Sequence, residues 1–221
     1  MSAEYEVSKQ NKVRQIREKA VYDKQTVHAV LDAGLIAHVG FIQDEQPLVV
    51  PMLYGRDGET IYLHGARKAR IIRMLEQTDR ASLNVTLVDA LVIARSAFHS
   101  SMNYRSVTVF GSPTLVDDRE AKLHALEIIS EHMMPGRWAE LREPLEKEIK
   151  MTGVIALTID AASAKISKKP HPEDEEEDYA TPVWAGILPL ETAFTELVDA
   201  DRLVEGVEPS AAVRALEGKR L

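Results

Sequence analysis

The 221-residue chain has no cysteine. That absence excludes disulfides, thiolate metal sites and a cysteine nucleophile together. Its seven histidines (His28, His38, His64, His99, His124, His132, His171) never form a His-x-x-x-His pair with a helical glutamate, so no metal site is expected. Gly-x-Ser-x-Gly, a Walker loop and Gly-x-Gly-x-x-Gly are missing too. A serine hydrolase, a P-loop enzyme and a dinucleotide fold therefore lack their local marks. No apolar run approaches the roughly 20 residues of a membrane span. The opening Met1-Ser2-Ala3-Glu4-Tyr5-Glu6 has neither a basic nor an apolar leader region. The expectation is a cytoplasmic protein with no membrane partner. Positive charge is also short: 27 Lys and Arg face 35 Asp and Glu, a net −8 that disfavours nucleic acid, with one local basic patch at Arg67 to Arg73.

What is present is an ordinary globular composition, 45% hydrophobic and 28% charged, enough for one domain with long appendages. Residues 1–21 are polar, with Lys9, Lys12, Arg14, Arg17 and Lys19 among few apolar positions, and read as a loosely attached N-terminal arm. Asp23 is placed to cap a short helix carrying Val27, Val30 and Leu31, closed by Gly34. Leu35, Ala37, Val39 and Phe41 alternate along a strand ending near Gln43. After a turn over 44–47, strands are expected over 48–54 and 60–64, joined at Asp57-Gly58. A helix over about 66–77 leads to strands over 81–88, 91–98 and 104–116. Asp118 caps a helix whose inner face is expected to be Leu123, Leu126 and Ile129 or Ser130, and a second helix is expected over 138–150. The last strand, 153–160, continues through 164–167.

Strands joined by hairpins, with helices inserted irregularly and no internal repeat, predict a mainly β architecture: a closed or split barrel rather than a doubly wound sheet. The barrel domain is set at 22–168. Residues 169–221 form an acidic loop and a C-terminal extension packing on the barrel. The acidic run at 172–178 reads as a solvated linker, 179–190 as an ordered segment laid over the barrel, and the tail from Glu191 as helical pieces, the last starting at Pro209-Ser210.

Two segments carry chemistry. Leu63-His64-Gly65-Ala66-Arg67-Lys68-Ala69-Arg70 reads as a strand that stops at a glycine and turns into a helix with basic opening turns. Cations at a helix N-terminus oppose the dipole unless an anion is bound, so the junction suits a phosphate. For His64 the ordinary alternative is a strand-end histidine bonded to a backbone carbonyl. The second segment, Ala97 to Gly111, brings His99, Asn103, Tyr104, Arg105 and Ser106 to the head of an apolar strand, with Tyr104 and Ser106 on one side and Arg105 on the other. Its alternative is an edge strand with satisfied hydroxyls and a solvated arginine.

Val50-Pro51-Met52-Leu53-Tyr54, Ile61-Tyr62-Leu63-His64-Gly65 followed by Lys68, and Asn103-Tyr104-Arg105-Ser106-Val107 with Phe110-Gly111 resemble the pyridoxamine 5′-phosphate oxidase-related flavin-nucleotide-binding proteins. The branch they look most like contains the nitroimidazole-resistance reductases. The resemblance runs from about Tyr22 to Leu190, and Val183-Trp184-Ala185-Gly186 with Leu188-Pro189-Leu190 looks like that branch's closing segment. It implies a six-stranded antiparallel split β-barrel, homodimeric, with FMN at the subunit interface.

Carried over by position, the resemblance implies that Lys68, its neighbour Arg67, Arg105 and Ser106 hold the FMN phosphate. Asn103 and Tyr104 would line the cofactor site, Pro51, Met52 and Tyr54 would run beside the flavin ring, and Trp184 would cover the pocket. His64 and Gly65 would sit at the ring or substrate face, with His64 as the catalytic proton carrier. The implied function is an FMN-dependent oxidoreductase acting on a small molecule, with a reduced nicotinamide as electron donor. The alternative is a non-catalytic flavin or haem binding or sensing module on the same barrel. Pyridoxamine phosphate is not the expected substrate. The oxidases proper carry a C-terminal Arg-Leu-x-Pro, whereas Lys219-Arg220-Leu221 here lacks the proline.

Overall fold

The computed structural model describes residues 3–221. In chain order its main elements are β1 (Ala20–Val21), α1 (Lys24–Ala33), β2 (Ile36–Gln43), β3 (Gln46–Asp57), β4 (Thr60–Ala66), α2 (Arg70–Gln77), β5 (Ala81–Ile93), β6 (Ser101–Leu115), α3 (Arg119–Met133), α4 (Glu146–Met151), β7 (Thr152–Ser167), β8 (Gly186–Pro189) and α5 (Ala211–Arg214). The strand order β7-β4-β3-β2-β5-β6 closes through a β6–β7 pairing, giving the antiparallel ring of six of a split barrel. β1 adds to β7 and β8 to β5.

The chain sorts into two units, each assembled from separate stretches. One comprises the described residues up to Gly34, Leu83–Phe110 and Ala161–Glu191. Its core is Tyr5, Val27, Val30, Leu31, Leu83, Val85, Val92, Val107, Val109, Ala162 and Ala164. Helix α1 forms as its sequence dictates: the Asp23 carboxylate accepts the Thr26 N–H at 2.8 Å, and Val27, Val30 and Leu31, spaced for one face, are at most 3% exposed. Each buried aliphatic side chain contributes on the order of 1.5–3 kcal/mol.

The N-terminal residues of this unit are not a loose arm. Tyr5 is buried, the Asn11 amide donates to the carbonyls of Glu6 and Ala162 at 3.0 Å each, and β1 pairs with residues 164–165. Burial of one aromatic ring and full satisfaction of one amide hold a segment that hydropathy alone reads as detached. The acidic run is anchored at Asp174 and Glu173, while Glu173, Glu175, Glu176 and Glu177 stay exposed as a solvated run would be. The buried Asp174 carboxylate accepts from the Arg95 backbone N–H and guanidinium at 2.8 Å each, and Glu173 pairs with Lys169. Residues 95–100 form the turn where strand had been expected to reach Phe98, and Ser101 and Met102 already belong to β6. β5 is one strand over 81–93 rather than two.

The other unit comprises Leu35–Ser82, Gly111–Asp160 and Thr192–Leu221. Ala37, Val39 and Phe41 of β2 are buried, as the alternation predicts. The β2–β3 turn is tighter than expected: Gln43 pairs with Gln46, and Asp44 and Glu45 both adopt left-handed backbone, the two-residue hairpin geometry usually given to Asn-Gly. α3 is capped by Asp118, which accepts the Ala121 N–H at 2.9 Å. Its buried face is Lys122, Ala125 and Ile129 rather than Leu123 and Leu126. The reason is Gly55 on β3, where an added Cβ would lie 2.7–2.8 Å from the α3 backbone at Ile128 and Ile129. That approach sets the Ile128 and Ile129 backbone of α3 directly against β3. The stretch 138–150 is not one helix; a short turn at Trp138–Glu140 and α4 flank Pro144, which a continuous helix would not tolerate. Of the tail, only α5 is helical, capped by Ser210 as predicted.

Candidate functional site

Within the unit built on β2–β4, the structure gathers His64, Gly65, Arg67 and Lys68 where β4 passes into α2. The strand runs two residues further than predicted, because Gly65 and Ala66 pair with Gly153 and Thr152 of β7. Arg67 and Lys68 then form a turn, and the helix opens only at Arg70, with Ala69 offering no side-chain cap. Arg67 and Lys68 thus precede the helix, while Arg70 and Arg73 ride on its first turn. The close approach at this junction is at Gly153, which pairs with Gly65: a Cβ there would fall 2.6 Å from Ile72 and 3.2 Å from the Arg67 backbone. A glycine facing a predicted strand–helix junction was the signal available in the sequence.

The side chains of this junction differ sharply in what they are free to do. Arg67 forms a two-pronged ion pair with Glu76, 2.9 Å at each prong. Lys68 is exposed, and among the described residues it has no partner. His64 makes no backbone bond: its Nδ1 is buried and unpartnered. Burial pushes its pKa below the usual 6.5, so the ring is neutral at physiological pH. An unpaired buried ring nitrogen costs roughly 1–3 kcal/mol. A buried polar atom in that state is where a bound group finds a partner.

On β3, Pro51 is exposed opposite His38, and Met52 is 7% exposed. Tyr54 is fully buried, with its ring 4.8 Å from that of His132. A ring enclosed this way is a core element and presents no face to a ligand.

The second group lies in the other unit, on β6. Arg105 chelates Asp89 of β5 through Nε (3.1 Å to both oxygens) and Nη2 (2.7 Å), leaving Nη1 without a partner among the described residues. Asn103 is buried and clamps Lys169, donating to its carbonyl at 2.8 Å and accepting its N–H at 2.7 Å. Ser106 joins Asn84 and Thr86 in a hydroxyl–amide cluster at 2.8–3.0 Å, and Tyr104 is half-buried beside it in sequence. Arg105 and Asn103 help line a cavity of about 620 Å³, with Ala90, Ile166, Ile187 and Pro189 as apolar walls. Asp89, Lys168 and Lys169 complete its charged lining.

Apolar walls with a few convergent charges are the usual composition of a site for a flat ring carrying an acidic tail. Sequence reasoning missed Asp89, Lys168, Ile187 and Pro189. An acid inside the apolar run Leu87-Val88-Asp89-Ala90-Leu91 was the clue to the first. Trp184, expected to cover the pocket, is 68% exposed and lies against Gly186, and its segment reaches the cavity through Ile187 and Pro189 instead.

Comparison with known proteins places this geometry. The family model for pyridoxamine 5′-phosphate oxidase matches residues 23–166, which include β1's neighbour α1 through most of β7 and hold both groups of site residues except Trp184. The chain belongs to the pyridoxamine 5′-phosphate oxidase family. Among solved structures of similar proteins is the flavocytochrome Anf3 from Azotobacter vinelandii, 35% identical, covering 96% of this chain and 98% of that one, with a TM-score of 0.89. Another is the FAD and heme binding protein from Mycobacterium smegmatis, 34% identical over 90% and 98% of the two chains, TM-score 0.86. A candidate 5-nitroimidazole antibiotic resistance protein from Bacteroides thetaiotaomicron is 26% identical over 66% and 86%, TM-score 0.58. No curated protein matches the chain. For this member of the oxidase family, the cavity walls at Ser167–Pro170, Ile187 and Pro189 fall outside the family match. Among the described residues, no helix is long and apolar enough to cross a membrane.

Proposed function

We propose that the chain is a flavin-binding redox protein and that its reaction is a flavin-dependent oxidation or reduction of a small molecule. The observation that carries this reading is the near-full-length likeness to a flavocytochrome and to a FAD and heme binding protein, each at about one-third identity. The residues present fit a flavin. The cavity beside Arg105 has apolar walls for a ring, and Nη1 of Arg105 together with Lys168 supplies cations for a phosphate. At the β4–α2 junction, Lys68 is a free cation and His64 an unpartnered neutral imidazole.

When bound, the flavin supplies the electron transfer, and the protein supplies binding, orientation and protons. In this reading Arg105 and Lys68 hold phosphate, and Ser106 and Asn103 set the shape of the β6 wall. His64, neutral at working pH, holds or releases a proton at its ring nitrogens. Arg67 keeps the junction in place through Glu76. The family resemblance implies FMN, whereas one of the two long likenesses is to a FAD and heme binding protein. The working form is proposed to be a homodimer in the cytoplasm, with a reduced nicotinamide as donor. Exposed Ile42 (71%) and Val49 (65%) on the β2–β3 hairpin are apolar surface of the kind an interface covers.

The same two likenesses favour a second reading, a flavin and haem electron carrier with no small-molecule substrate. An absorbance spectrum of the freshly purified protein, with chromatography of the released cofactor, tests both. Flavin bands at about one flavin per chain support the first proposal, and the eluted nucleotide decides between FMN and FAD. A Soret band without nicotinamide oxidation supports the second. Protein that neither carries flavin nor takes it up overturns the flavin reading.

A further inference from the structure

The N-terminal segment contains a feature that the proposed redox site does not use. Val7, Ser8, Lys9, Lys12, Arg14 and Arg17 enclose a pocket of about 530 Å³. Its four charged residues are all cations, in a chain whose net charge is −8. All four side chains are exposed, and among the described residues none is ion-paired to a carboxylate. Over Val7 to Lys19 the chain has one acid, Glu18, which does not line the pocket.

The backbone around this pocket is fixed, although it contains almost no regular structure. The Asn11 carboxamide oxygen accepts from the Ser8 N–H at 2.8 Å, and its nitrogen donates to Glu6 and Ala162. The Val13 N–H donates to the Tyr22 hydroxyl at 2.9 Å. Between Arg14 and Arg17 the chain turns through Ile16 in the left-handed region (φ 53°, ψ 61°). That conformation is unfavourable for a β-branched residue. Burial of the isoleucine does not offset it, since the side chain is 47% exposed. What the turn achieves is to bring both arginines to the wall already formed by Lys9 and Lys12.

A concave surface lined by one sign of charge focuses its field and concentrates counter-ions. Two arginines offer planar forks to phosphate oxygens and two lysines offer point charges. A single carboxylate would satisfy one of them, whereas a diphosphate presents enough oxygens for all four. We infer that this pocket binds a diphosphate-bearing small molecule. Two sources share that chemistry: a free nucleotide such as a reduced nicotinamide dinucleotide, and the diphosphate of a dinucleotide flavin, which would then sit here in place of the Arg105 and Lys68 contacts proposed above.

The test is titration of the purified full-length protein, with its cofactor content as isolated, by inorganic pyrophosphate in a calorimeter at low and moderate salt. The expected result is one site per chain, weakening steeply as salt is raised. Lys12→Gln with Arg14→Gln should weaken it at least tenfold with the melting temperature unchanged, while Arg14→Lys alone should retain most of it. Absence of a pyrophosphate site, or equal binding by the double variant, overturns the inference. If the double variant does not fold, Lys9→Gln with Arg17→Gln applies the same criterion from the other wall. Pyrophosphate binding that disappears on loading FAD but persists with FMN assigns the pocket to the flavin's own diphosphate. Binding that persists with both, and is displaced by nicotinamide dinucleotide, assigns it to a free nucleotide.

Discussion

Two arginines that one sequence reading assigns to the same phosphate end up in different situations. Arg67 and Glu76 are each 33% exposed and close a pair between the β4–α2 turn and α2 itself. Arg105 and Asp89 are similarly exposed, at 35% each, but their pair forms part of a cavity wall and leaves one guanidinium nitrogen unused. Similar exposure and similar bond lengths therefore do not distinguish a surface clasp from a pair set in a cavity wall. The difference lies in what surrounds each pair, namely open surface in one case and apolar walls in the other.

The comparison can be broken experimentally. Arg105→Ala is expected to have the largest effect. It removes the cavity's guanidinium, leaving Lys168 and Lys169, and strands Asp89, weakening flavin retention by about 1.5–3 kcal/mol, roughly 10- to 150-fold. Equilibrium dialysis of flavin against the variant measures it, and unchanged retention would sink the Arg105 assignment.

Next comes the floor of the junction. Gly153→Ala should lower stability by about 1–3 kcal/mol in denaturant unfolding, because its Cβ would meet both Ile72 and the Arg67 backbone. Lys68→Ala should leave unfolding unchanged and loosen flavin roughly tenfold, as expected for one exposed charged contact.

His64 contributes through pH. Its folded pKa is depressed, so between that value and about 6.5 the unfolded chain binds more protons and stability rises with pH. Melting temperature should fall as pH drops below about 6.5, and His64→Gln should flatten that part of the profile while keeping flavin and losing turnover. A slope identical in the variant would place the titration elsewhere.

Arg67→Ala should do least. It removes one surface ion pair worth at most about 1 kcal/mol and leaves flavin content unchanged. Loss of flavin there would make the two arginines equivalent after all.

Much of this was legible in the sequence where one local rule decides. Alternation placed β2, and side-chain caps placed the starts of α1, α3 and α5 at Asp23, Asp118 and Ser210. The ring of strands followed from hairpins without regular helices. Errors arose where a distant partner overrides the local rule. β4 outruns its glycine because β7 claims Gly65 and Ala66. α3 turns a different face inward because Gly55 admits its backbone. The acidic loop is pinned by Arg95, 79 residues away in sequence. Of the expected site residues, Asn103 and Arg105 line the cavity beside β6. Nothing local announced that Asp89 would meet Arg105, or that Ile187 and Pro189 would return to complete the lining. Tyr54 shows the reverse failure, since an aromatic in a recognisable motif turned out to be core.

The anchoring of the N-terminal segment by Ala162 also bears on how the protein is made. Asn11 and its carbonyl partner are 151 residues apart, and β1 pairs with a strand segment of similar separation. At ribosomal rates of roughly 5–20 residues per second, the first twenty residues emerge about 8–30 s before Ala162 and the β7 segment they bind. During that interval they are an exposed, cationic, unpaired stretch that proteases and chaperones meet first. Their docking is then among the last events of maturation, after β7 has joined the ring. Protection of residues 5–21 would therefore report that β7 has arrived.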